Sequence, residues 1–133
     1  MEIGREILDE IVRTAKAEAP IEACGLLLGK GDVVTENYAM ENIDHSEEHF
    51  TLDPKAQFAA MRYAREKGLR IVANWHSHPA SPSRPSEEDL RLAADPTIEY
   101  VIVSLLDGVV NVNSFKIKDK AVVEKQVLVE GES

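Results

Sequence analysis

Two apolar runs limit most strongly what this chain can fold into: Ala23-Cys24-Gly25-Leu26-Leu27-Leu28, and Tyr100 through Leu106. They are the longest such runs in 133 residues. Neither approaches the ~20 residues of a membrane-crossing helix. Gly29 closes the first, and the β-branched Val101, Ile102 and Val103 fill the second. Runs of this length and content are buried strands rather than helices. The chain must therefore build its core around a sheet. With 44% hydrophobic residues there is enough apolar material for one core, and the length predicts a single domain over residues 1–133.

Helical patterns are set between the strand-like segments. Residues 2–18 read as a helix, with Ile3, Ile7, Leu8, Ile11, Val12 and Ala15 at helical spacing, stopped by Pro20. A turn at Gly29–Asp32 leads to a strand over about 33–42. Residues 43–53 are polar and irregular, with a short strand at Phe50–Leu52. Asp53-Pro54 opens a second helix as a cap followed by proline at the first helical position, and Gly68 closes it. Leu69–His78 reads as a strand. A short helix runs from Ser86 to about Ala94, before Asp95-Pro96. Asp107-Gly108 is a hairpin signal after the strand at 100–106, and Val109–Ile117 and Val122–Glu130 read as two more strands. Gly131-Glu132-Ser133 is a polar tail, expected to fray. The predicted class is α/β in the broad sense (α+β): a mixed, mostly antiparallel sheet flanked by three helices.

Charge narrows the functions. The 15 basic and 24 acidic residues give a net charge of −9, which opposes binding to nucleic acid or to an anionic membrane. The N-terminal residues MEIGREILDE place acids where a secretory signal carries its apolar stretch, and a lone cysteine allows no internal disulfide. These features predict a cytoplasmic protein.

The segment WHSHPASPSRPSEEDL, residues 75–90, carries the chemistry. On a strand, His76 and His78 point to the same face, with Cα atoms roughly 6.6 Å apart. Two imidazoles at that spacing can share one zinc ion. Pro79 ends the strand, and Pro82 and Pro85 stiffen the return. Asp89 then offers a carboxylate oxygen from the first turn of the next helix. Two nitrogens and one oxygen leave a fourth position for water, the pattern of a catalytic rather than a structural zinc. The same residues admit a plainer reading, since Ser86-Glu87-Glu88-Asp89 fits a helix capping box and a His-x-His pair can sit on a solvated strand. The combination favours the site: this four-point pattern arises by chance in roughly 4 of 10,000 chains of this composition. The two readings are also compatible, because a cap can hold the helix start while Asp89 turns to a metal. A base for the attacking water should be a carboxylate from elsewhere in the fold. Glu22, at the start of the first apolar run, is the candidate, although spacing alone does not select it over Glu18 or Glu36.

The run His76-x-His78-x7-Ser86-x2-Asp89, with Glu22 upstream, resembles the JAMM (MPN+) metalloproteases. EACGLLLG at 22–29 and NWHSHPASPSRPSEEDL at 74–90 look like the compact prokaryotic branch of that family, and the resemblance extends over most of the chain. It implies that His76, His78 and Asp89 hold Zn2+. It implies that Glu22 is the general base and later the acid that protonates the leaving amine. Ser86 would hydrogen-bond the water or the developing oxyanion. It further implies hydrolysis of a peptide or isopeptide bond by zinc-activated water, at the C-terminal Gly-Gly of a ubiquitin-like sulfur-carrier protein. The extended tail of such a carrier can add to a strand edge, and residues 43–52 are the expected lip of that groove. The alternative is a non-catalytic scaffold or binding module of the same fold. A zinc deaminase is ruled out, since its Cys-x-x-Cys pair needs a second cysteine.

Other reactive residues read as structural. Cys24 sits within an apolar run and is expected to pack as a small hydrophobe. His45 and His49 lack the H-E-x-x-H order and a helical surround, so they are expected in a loop, lining the substrate groove. Trp75 alternates away from His76 and His78 and is expected in the core.

Overall fold

In a computed structural model of the protein, residues 1–130 are described; the tail at 131–133 lies outside them. The elements run β1 (Glu2–Gly4), α1 (Arg5–Glu18), β2 (Cys24–Lys30), β3 (Val33–Met40), α2 (Pro54–Glu66), β4 (Arg70–His78), α3 (Glu87–Leu92), β5 (Glu99–Ser104), β6 (Asn111–Lys118), β7 (Ala121–Lys125) and β8 (Leu128–Glu130). One eight-stranded sheet takes the order β7-β6-β5-β4-β2-β3-β1-β8. The pairs β2–β3, β2–β4, β5–β6 and β6–β7 are antiparallel. The pairs β4–β5, β1–β3 and β1–β8 are parallel. The mixed, mostly antiparallel α+β architecture expected from the sequence is therefore present, with its three helices.

The two apolar runs lie at the centre. Every residue of β5 is buried, as are the first six of β2. Alternation divides their side chains between two cores. On one face Leu27, Val34, Ala73, Trp75, Val101 and Val103 pack against Leu8, Ile11 and Ala15 of α1. On the other face Cys24, Leu26 and Leu28 meet Ala60 and Ala64 of α2. Beside them Tyr100, Ile102, Phe115 and Ile117 pack with Leu90 of α3 and with Ala93, its C-cap. Burying a side chain of this size contributes roughly 1.5–3 kcal/mol, so both faces must stay covered. Among the described residues no helix is long and apolar enough to cross a membrane.

Two boundaries depart from the expectation. The first helix begins at Arg5, because Glu2–Gly4 form a strand parallel to β3 instead. The strand expected at 122–130 is two strands: β7 pairs with β6, and β8 crosses to the far edge of the sheet beside β1. Both departures come from pairings between distant segments, which local periodicity does not encode. The segment Phe50–Leu52 contributes only an isolated bridge between Asn42 and Leu52.

Candidate active site

The site forms where β4 ends. In β2 and β4, Cys24 pairs with His76 and Gly25 with Trp75. The ladder continues through Ser77, whose amide donates 2.9 Å to the Ala23 carbonyl, while the Ala23 amide donates 2.8 Å to Ser77 Oγ. Glu22 precedes this pairing by one residue and lies near enough to His78 for their charges to interact. A non-sequential strand pairing thus sets the candidate base beside the candidate ligands. Trp75 faces the opposite side as expected, fully buried, with Nε1 donating 3.0 Å to Asn37 Oδ1. Gly25 makes room for the indole: a Cβ there would lie 2.5 Å from Trp75 Nε1.

The loop after His78 is held by hydrogen bonds as well as prolines. Ser104 Oγ donates 2.6 Å to the Ser81 carbonyl, and the buried Ser83 donates 2.9 Å to Asn111 Oδ1. His78 Nδ1 lies 2.7 Å from the Pro82 carbonyl oxygen. A carbonyl only accepts, so Nδ1 carries the proton and a neutral His78 presents a bare lone pair at Nε2. The chain then enters α3 through a complete capping box. Ser86 Oγ accepts from the Asp89 amide at 3.0 Å, and the Ser86 amide donates to Asp89 Oδ2 at 2.9 Å.

The cap and the site are one structure. Asp89 Oδ2 also lies 3.2 Å from His76 Nε2 and 3.1 Å from His78 Nε2, and those two nitrogens are 3.1 Å apart. The three atoms form a nearly equilateral triangle, and both imidazoles are almost wholly buried. Tetrahedral zinc with bonds of about 2.0–2.1 Å has ligand edges of about 3.3–3.4 Å, close to the triangle observed. A lone pair on His78 Nε2 facing the Asp89 carboxylate is repulsive unless a proton or a metal cation lies between them. The donor chemistry and the spacing therefore fit zinc. His78 also has the carbonyl partner usual for a metal-ligating imidazole. His76 has none among the described residues: its buried Nδ1 is unpartnered, and Phe50 stacks on its ring at 4.6 Å between centroids.

Electrostatics separate the groups. Hydrogen bonds from both imidazoles, the nearby His76 charge and the Ser86 amide outweigh burial at Asp89, holding its carboxyl well below the usual range. Burial lowers His76. At His78 burial acts in the same sense but is overcome by Asp89, the Pro82 carbonyl and Glu22, so that imidazole is raised. Burial pushes Glu22 up to about 8, against the pull of His78 and with help from the negative charges of Asp89, Glu48 and Glu88. Its Oε1 is buried without a hydrogen-bond partner. A carboxylate poised near neutrality beside such a triad is suited to exchange a proton.

Sequence reasoning missed two residues here. Phe50 covers His76, and Asn42, buried beyond β3, binds the main chain of Glu22. The available signal for Phe50 was a lone aromatic in a polar loop, which must find cover somewhere. His49 lines the same cavity as Phe50, His76 and Asp89, while His45 pairs with Glu41 at the surface. Cys24 is buried as expected, and burial pushes its thiol up to about 12, which leaves it inert.

Two buried imidazoles and a carboxylate gathered at a strand end, on an α+β fold of this topology, place the chain in the MPN class of domains. Residues 4–118 match the model of the prokaryotic homologues of the JAB domain. The chain belongs to that family, in its compact prokaryotic JAMM branch. It is 32% identical over 128 residues to a CysO-cysteine peptidase of Mycobacterium tuberculosis, covering 94% of this chain and 88% of the relative. The solution structure of protein DSY2949 from Desulfitobacterium hafniense superposes with a TM-score of 0.89 at 40% identity, covering 98% of this chain and 93% of that one. A structure described as JAMM, a metalloprotease-like zinc site in the proteasome and signalosome, gives a TM-score of 0.63 at 26% identity, with 97% and 96% covered.

Proposed function

We propose that the protein is a zinc peptidase that hydrolyses an amide bond, peptide or isopeptide, at the C-terminal Gly-Gly of a ubiquitin-like sulfur-carrier protein. The observation that carries this reading is the triangle of His76 Nε2, His78 Nε2 and Asp89 Oδ2, with edges of 3.1–3.2 Å. These three atoms would hold the ion. Zinc bound there supplies a water acidified to a pKa of about 7 and polarises the scissile carbonyl.

The protein's own groups do the rest. Glu22 takes the proton of the attacking water on its unpartnered Oε1 and later gives it to the leaving amine, so that amide and water become acid and amine. Ser86 Oγ already accepts from the Asp89 amide, so its own proton is free to donate to the developing oxyanion. The Pro82 carbonyl fixes the tautomer of His78.

The substrate class is supported from two sides. The family resemblance and the mycobacterial relative, named a CysO-cysteine peptidase, point to an amide on a carrier protein. The two imidazoles are buried and Phe50 stacks on His76, so residues without a Cβ bring a carbonyl closest to the triad. The loop at 43–52 would form the lip of the groove, with His49 at its mouth. A cytoplasmic setting belongs to the same proposal, in keeping with the acidic composition.

Metal analysis tests the reading. Zinc-reconstituted protein should hold about one ion per chain, and His78→Ala should lose it. Absence of zinc affinity in the reconstituted protein would overturn the proposal.

A further inference from the structure

Asn42 lies two residues beyond β3 and is 6% exposed. A carboxamide offers two protons and one oxygen with two lone pairs, and Asn42 uses them all. Nδ2 donates to the Glu22 carbonyl and to the His49 carbonyl, each at 3.0 Å. Oδ1 accepts from the Asp44 and Thr51 amides, each at 3.1 Å. The side chain thereby closes the loop 42–51 on itself and fastens it to Glu22.

Glu22 depends on that fastening. It precedes β2 and lies outside the strand ladder. Its amide donates 2.9 Å to the Ser46 carbonyl, and its carbonyl accepts from Asn42. Both main-chain groups are therefore bound to one loop. At the other end of the side chain, Oε1 has no partner. The carboxylate is thus located through its backbone, with no bond at Oε1 to hold it. The same loop carries Phe50 onto His76, so it spans the site from the base to a ligand.

We propose that Asn42 is the positioning residue for Glu22: by bonding the Glu22 carbonyl while ordering the loop that holds the Glu22 amide, it sets the base against the triad. This rests on the reading of Glu22 as general base. Fully satisfied buried polar networks of this kind specify one geometry, and a displacement of the order of 1 Å at a catalytic group is costly.

The test uses the full chain with Asn42→Asp, which keeps both acceptors and lacks both donors, beside Asn42→Ala and Glu22→Gln. Asn42→Asp is expected to melt cooperatively and to bind zinc within about threefold of the wild-type affinity. In the metal-free protein its Glu22 amide should exchange with solvent at least about tenfold faster. Zinc-loaded, it should lose about tenfold to a hundredfold in kcat with KM within about threefold. Added to Glu22→Gln, it should change the residual rate by less than about twofold, because both changes act through one group. Unchanged exchange at Glu22, unchanged kcat, or a full multiplicative loss in the double variant would overturn the proposal. Wild-type turnover in Glu22→Gln overturns the assignment of the base, and this proposal with it. An inactive Glu22→Gln beside a fully active Asn42→Asp overturns the role of Asn42 alone. If neither Asn42 variant folds, the wild-type carboxamide protons decide. Protection matching the Glu22 amide supports the clasp, and exchange at the rate of an exposed amide refutes it.

Discussion

Glu22 is a carboxyl group that the fold prefers to keep neutral. Its pKa rises from 4.5 to about 8, chiefly through burial. For a group raised in the folded state, the stabilising contribution is complete below the unfolded value and is lost as pH climbs through the folded one. Metal-free wild-type protein should therefore lose stability between about pH 5 and pH 8.5 relative to Glu22→Gln, whose amide never ionises. The gap should reach roughly 1–3 kcal/mol. Chemical denaturation of both proteins across this range, with chelator present, checks it; parallel profiles would refute it. Zinc beside the carboxylate favours its ionised form, so the difference should shrink in the loaded protein. Much of this residue-scale chemistry was legible in the sequence. His76, His78 and Asp89 could be grouped because strand alternation and a helix start fix their directions over a short span. Spacing alone did not select Glu22 over Glu18 or Glu36, because its place depends on the pairing of β2 with a strand more than forty residues away in sequence; the family resemblance named it.

At the level of elements, β4 and α3 serve as the two arms of the site, and close contacts hold each. Gly25 sits under Trp75 in the β2–β4 ladder, where an added methyl group would come within 2.5 Å of the buried indole. Gly25→Ala should cost about 1–3 kcal/mol in overpacking, read as a lower denaturation midpoint; wild-type stability would show that the indole can shift. The loop between β3 and α2 is the element that the sequence described least well. Its polar composition marked it as irregular, and its prediction as a lip left open that Asn42 and Phe50 tie it to the centre. Those ties are single side-chain contacts across the fold, with no periodic signature. Phe50→Ala should leave zinc stoichiometry near one and expose the His76 face. The expected effect is a fall of about tenfold in kcat/KM on a protein substrate; unchanged kinetics would reduce Phe50 to a structural cover.

Across the whole molecule, the sheet joins segments from both ends of the described chain, and zinc would link β4 to α3 on top of it. The two buried apolar runs announced that sheet, whereas the crossing of β8 to β1 was hidden because β8 is short and its partner lies at the opposite end of the sequence. A ligand that binds only the folded state stabilises it by mass action. Zinc at a hundredfold above its Kd should add about 2.7 kcal/mol, or roughly 10 °C in Tm. Chelation should remove that gain. Acid should weaken it, because His76 and His78 must be unprotonated to bind the ion. A Tm indifferent to zinc would contradict a site assembled from separate elements.

Peptidase activity is tested by mass spectrometry of a Gly-Gly-terminated carrier protein bearing one further C-terminal amino acid, incubated with zinc-loaded wild-type protein and with Glu22→Gln of equal zinc content. Release of the amino acid by the wild type is expected, leaving the carrier ending in Gly-Gly, with a loss of about a hundredfold or more in the variant. An intact carrier after incubation with the loaded wild type, or equal release by both proteins, would contradict that expectation.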